Sequence, residues 1–166
     1  MRKFRILKII VVIIIGITVI HYVFFRAPSE SQMLANFKEH KVQLEQLRAM
    51  LQHDKKVGGI SPDSFVDKEL WHDNSLKDAG ISQQRLDEYR KLMKISGVTH
   101  IGRLSDKKGY FRFYVFGGGM TDTSWSIGYA WSEDKPSHIV KSAYNTIYNG
   151  WCHSPIEGHW YIYHMR

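Results

Sequence analysis

One cysteine, Cys152, and four prolines are all that 166 residues contain of either kind. A lone thiol closes no disulfide within the chain, so the fold must be held by its core rather than by cross-links. With 13 glycines in no fixed period, collagen-like and low-complexity architectures are excluded. No glycine loop suited to phosphate, no H-E-x-x-H and no G-x-S-x-G occurs anywhere in the chain. The first 26 residues hold no Asp or Glu. Repeats and long polar tracts are also missing.

What the N-terminus does hold is an apolar run. From Ile9 to Phe25 there is no formal charge, and Ile and Val dominate. As a helix this run covers about 26 Å, and Ile6, Leu7 and a snorkelling Lys8 extend it towards the roughly 30 Å of a hydrocarbon core. A cleavable signal peptide has the same outline, but this run is longer than the usual apolar region, and HYVFFRAPSES contains no clean small-x-small site. An uncleaved anchor over residues 6–25 is the expectation. Arg2, Lys3, Arg5 and Lys8 precede it and only Arg26 closely follows it, which predicts a cytoplasmic tail at 1–5 and an extracytoplasmic remainder. Five of the 23 Lys and Arg lie in residues 1–26, so the remaining 18 against 16 acidic residues leave +2 of the formal +7. The basic balance is thus largely a property of the anchor, and no nucleic-acid partner is expected.

Behind a short linker at 26–30, which could cap a helix, apolar residues recur at helical spacing over about 31–56. Met33, Phe37, Leu44, Leu47 and Leu51 form the stripe, widened by Leu34 and Met50. Both docking on the chain's own domain and homodimerisation through residues 33–51 satisfy it. Residues 57–80 read as a loop, with Gly58-Gly59 stopping the helix and Ser61-Pro62-Asp63 making a turn. A second helix is predicted over about 82–96. Ser82 is its N-cap, Ile81 and Leu86 form a staple, and Gly97 is its stop. From residue 98 the period falls to two, giving a hairpin (VTHIGRLS, then YFRFYVF), the strand SWSIGYAWS and a closing strand HWYIYH over 98–164. Residues 133–150 fit either helix or strand. The predicted class is α+β: an N-terminal transmembrane helix, then two helices on one face of an antiparallel sheet of about four strands.

Two groups of residues could carry function. Cys152, His153, His159 and His164 crowd the last fifteen positions and include the residue types that bind zinc. Alternation along a strand puts His159, Tyr161 and Tyr163 on one face and Trp160, Ile162 and His164 on the other, so convergence of Cys152, His153 and His159 requires a sharp turn at Pro155. No metal, other cofactor or thiol nucleophile is expected. The second group is aromatic. Trp125, Tyr129 and Trp131 share one face of their strand with Ile127, while Arg112 and Tyr114 lie on the strand before it. Such rings supply rigid contact area with a polar handle, which suits a protein- or glycan-binding surface unless residues 57–80 or 133–150 cover them.

The stretches MLQHDKKVGGIS, ISQQRLDEYRKLMKISGV, SIGYAW and SPIEGHWYIY follow one another in an order that resembles certain small membrane-anchored bacterial proteins of unknown function. The resemblance implies a bacterial inner-membrane setting and brings no activity or site residue with it. With no catalytic constellation in view, the sequence points to a non-enzymatic single-pass protein whose extracytoplasmic domain, 31–166, binds a protein partner. An envelope enzyme or glycan-binding module acting on cell-wall material is the alternative.

Overall fold

A computed structural model describes residues 27–67, 76–104, 109–118, 125–144 and 150–165. The first helix, α1 (Glu30–His53), starts on a capping box. The Gln32 amide donates to Ser29 Oγ at 3.3 Å, and the Ser29 amide donates to Gln32 Oε1 at 2.7 Å. At His40 the backbone leaves helical geometry (φ −112°, ψ 19°), so the helix kinks there. Its apolar stripe, Met33, Phe37, Leu44, Leu47, Met50 and Leu51, is buried along the whole length.

Two short strands follow, β1 (Val57–Ile60) and β2 (Phe65–Asp67), then a four-residue helix α2 (Leu76–Ala79) and the helix α3 (Gln83–Ser96). Ser82 Oγ accepts from the Arg85 amide at 3.1 Å, and Gly97 ends α3 in the left-handed conformation (φ 69°) that glycine adopts without strain. The remaining strands are β3 (His100–Arg103), β4 (Tyr110–Gly118), β5 (Trp125–Ser132), β6 (Trp151–Glu157) and β7 (Trp160–Met165). The described strands form one seven-stranded sheet in the order β2-β1-β3-β4-β5-β7-β6, and every neighbouring pair is antiparallel.

The expected architecture is therefore corrected. The sheet has seven strands rather than about four, because VGGI and the residues after the Pro62 turn pair as strands instead of forming a loop. Glycine at 59 and 102 is what makes this pairing work. The two residues face each other, and a Cβ on Gly59 would lie 3.3 Å from His100 Nε2 and from the Ile101 carbonyl oxygen. The sharp turn at Pro155 that convergence of Cys152, His153 and His159 requires is not there: Ser154 and Pro155 lie inside β6. This is an edge strand with a register shift between Pro155 and Glu157, where proline costs no ladder hydrogen bond. No described helix is long and apolar enough to cross a membrane, and the membrane-spanning helix expected at 6–25 lies outside the described residues.

Helices α1 and α3 pack together on one side of the sheet. Phe37 meets Tyr129 and Trp160 at ring distances of 5.7 and 5.5 Å, and Trp160 Nε1 donates to Glu45 Oε1 at 2.7 Å. Asp54, at the C-terminal cap of α1, joins the helices by accepting from Arg85 Nε (2.9 Å) and Tyr89 Oη (3.0 Å). Burial opposes its charge, but hydrogen bonds from His53, Arg85 and Tyr89 together with the Arg85 guanidinium hold its carboxyl below the ordinary range. Arg103, on β3, donates to the carbonyl oxygens of Leu51 and Val57 and so ties the end of α1 to the sheet.

Candidate functional site: the open face of the sheet

Strand register divides the aromatic residues of the sequence between two faces. Phe111 pairs with Trp131, Phe113 with Tyr129, and those two in turn with Trp160 and Ile162, which places all six on the helix side. Tyr129 is wholly buried there. Its hydroxyl donates to the Met33 carbonyl oxygen at 2.8 Å and accepts from Asn36 Nδ2 at 3.0 Å. Burial pushes its pKa up to about 12, against a smaller lowering by the Asn36 hydrogen bond. Trp131 is half-buried beneath the Arg48 guanidinium, 5.0 Å from its ring centre. Trp125 is half-buried at the far end of the same face, with Phe116 at 5.4 Å. The stripe Trp125-Ile127-Tyr129-Trp131 thus lines the core under α1 rather than a loop-covered surface.

Arg112 and Tyr114 lie on the other face. There β5 contributes only small side chains, Ser126, Gly128, Ala130 and Ser132, which leave a trough between larger neighbours. The Tyr163 ring occupies this trough: a Cβ on Gly128 would meet Tyr163 Cε1 at 2.9 Å and would collide with the Phe113 carbonyl oxygen. Tyr110, Tyr161 and Tyr163 are buried here, with Leu104, Ile139 and Trp151 packed around them. Residues 138–140 run beside β6, where the Val140 amide donates to the His153 carbonyl oxygen at 2.9 Å. His153 Nδ1 lies 3.1 Å from the Ser137 carbonyl oxygen and must donate to it, which leaves Nε2 to accept from Tyr110 Oη at 2.7 Å.

Over these tyrosines, the Arg112 guanidinium lies 4.9 Å from the Trp151 ring centre, and Trp151 stacks at 5.5 Å on Tyr163. Arg112, Tyr114 and Trp151 are all half-buried. None of the ion pairs among the described residues includes Arg112. Desolvation of the His100 ring, followed by repulsion from Arg112, lowers the pKa of that imidazole. Among the described residues the patch thus holds the Arg112 cation backed by an indole, beside phenols whose pKa burial raises further. A guanidinium in this setting offers a planar fork of donors to a carboxylate or phosphate.

Cys152, His153 and His159, the residues with metal-binding side chains, are dispersed. Cys152 is buried on the helix side, with its Sγ 3.5 Å from the His164 carbonyl oxygen and 3.7 Å from that of Ala143. His153 is on the opposite face, and His159 sits exposed in the β6–β7 turn with Nδ1 3.0 Å from the Ser132 carbonyl oxygen. Among the described residues no three His, Cys, Asp or Glu side chains converge as metal ligands would. Sequence reasoning missed Trp151 and Tyr163 as partners of Arg112. The signal available was the run of small residues on the second face of β5, which demands large neighbours to fill it.

Comparison of the chain with protein-family models, curated proteins and solved structures finds no match.

Proposed function

We propose that the chain is a non-enzymatic, single-pass protein of the bacterial inner membrane whose extracytoplasmic domain binds a protein partner through Arg112, Tyr114 and Trp151. One observation carries this reading: a half-buried arginine, stacked on an indole and without an ion pair among the described residues, on the sheet face that the helices leave uncovered. It fits an acidic side chain on the partner, which would complete a charge-assisted, bidentate contact. Location and orientation rest on the uncharged run Ile9–Phe25 and the basic residues before it.

A photo-crosslinking residue at position 114 tests this in intact cells. A discrete adduct that disappears in Arg112→Glu supports the reading, whereas an adduct indifferent to that change sinks it. A C-terminal reporter active only outside the cytoplasm should give signal, and a cytoplasmic result would reverse the orientation. Retention of the protein on isolated cell wall, with no adduct at 114, would favour the glycan-binding alternative.

A further inference from the structure

The start of the described chain is clasped to one end of the sheet. Tyr144 Oη donates to the Pro28 carbonyl oxygen at 2.7 Å, and Ser142 Oγ donates to Glu30 two residues later. From Tyr144 a series of rings crosses that end: His164 at 6.2 Å, then Trp125 at 6.5 Å, then Phe116 at 5.4 Å. Tyr144, Trp125 and Phe116 are each half-buried. Strand register places Gly118, Trp125, Met165 and the beginning of β6 at this same end, while Ser132, Trp160 and Glu157 mark the other.

Distance then restricts where this end can lie. Ser29 already caps α1, and only Arg26, Ala27 and Pro28 separate it from Phe25, the last residue of the apolar run. Four residue steps span at most about 14 Å even when fully extended. A domain so tethered cannot stand away from the surface its anchor enters. Indole and phenol rings are the side chains that settle best at the headgroup level, with an apolar body and a polar tip.

We infer that the end of the sheet carrying Phe116, Trp125 and Tyr144 rests in the interfacial layer of the bilayer, so that the domain contacts lipid directly. This rests on the membrane location proposed above. Trp151, at the start of β6, would then stand beside the membrane surface, and α1 would lead away from it.

The test uses full-length protein in phosphatidylethanolamine–phosphatidylglycerol vesicles that contain a lipid nitroxide-labelled near the headgroup, with tryptophan fluorescence as the readout. Trp125→Phe should remove a quenched share about twofold larger than Trp131→Phe does, since six strand residues at about 3.4 Å put Trp131 roughly 20 Å away. Ten Gly/Ser residues inserted between Arg26 and Ala27 leave the domain intact and should lower the quenching of the unsubstituted domain. That insertion decides the matter if Trp125→Phe does not fold by circular dichroism. Protein that floats with vesicles but is quenched equally in both Trp variants, or regardless of the insertion, overturns lipid contact and leaves anchoring standing. Protein that fails to float overturns the anchoring itself, and the contact with it.

Discussion

On the helix-covered face of the sheet, Phe37 packs against Tyr129 and Trp160, and both polar atoms of the group are paired: the Tyr129 hydroxyl has a donor and an acceptor, and the Trp160 indole donates to Glu45. On the opposite face, Tyr110 and His153 satisfy each other in the same way, yet Arg112 above them has an aromatic partner and no carboxylate among the described residues. Both faces are rich in rings, so composition does not separate core from surface here. The difference lies in the charged groups: under the helices Glu45 and Asp54 are paired with Arg48 and Arg85, whereas Arg112 on the other face meets no carboxylate among the described residues. A face that leaves a cation unmatched is suited to another molecule.

Substitutions can break this contrast where it is strongest. Phe37→Ala empties the space between Tyr129 and Trp160 and should cost about 3–5 kcal/mol in denaturant unfolding. Asp54→Asn removes the carboxylate that Arg85 and Tyr89 share and should cost about 2 kcal/mol. Because the folded pKa of Asp54 is depressed, its contribution is complete above the ordinary carboxylate range and fades as pH falls through the folded value. The acid limb of the stability profile should therefore be shallower in Asp54→Asn than in the parent, and an unchanged limb would contradict the pairing. Tyr129→Phe keeps the ring and loses the hydroxyl, so roughly 1 kcal/mol is expected, with Asn36 left one partner short. Arg112→Glu should shift stability by no more than about 0.5 kcal/mol while abolishing the cross-link at position 114. A large loss of stability instead would make Arg112 a structural residue and erase the distinction between the faces.

Much of the helix layer was readable because its signals are local. The stripe from Met33 to Leu51, the Ser82 cap and the Gly97 stop each depend on residues within a turn or two of one another. The strands β1 and β6 were hidden for a different reason. Val57–Ile60 contains two glycines and β6 contains Pro155, and both residue types argue against a strand when only neighbours in sequence are considered. Their partners are distant: Gly59 is permitted by the close approach of β3, and Pro155 by having no strand beyond it in the sheet order. The aromatic residues failed to reveal the site in the same sense. Alternation shows that Trp125, Tyr129 and Trp131 share a face and that Arg112 and Tyr114 share another. Which of the two the helices cover is decided by tertiary packing, and it was the first that they took.

Cys152 gives this molecule a built-in clock. The chain's one thiol is buried on β6, the outermost strand of the sheet, with two backbone carbonyl oxygens near its sulfur. An alkylating reagent reaches it only when that margin of the sheet opens, so the labelling rate measures how often the cover over β6, from Ala143 or from β7, comes away. Unsubstituted protein can therefore report its own local opening, without an engineered cysteine. A cysteine introduced elsewhere on the surface would react faster and be told apart by its rate.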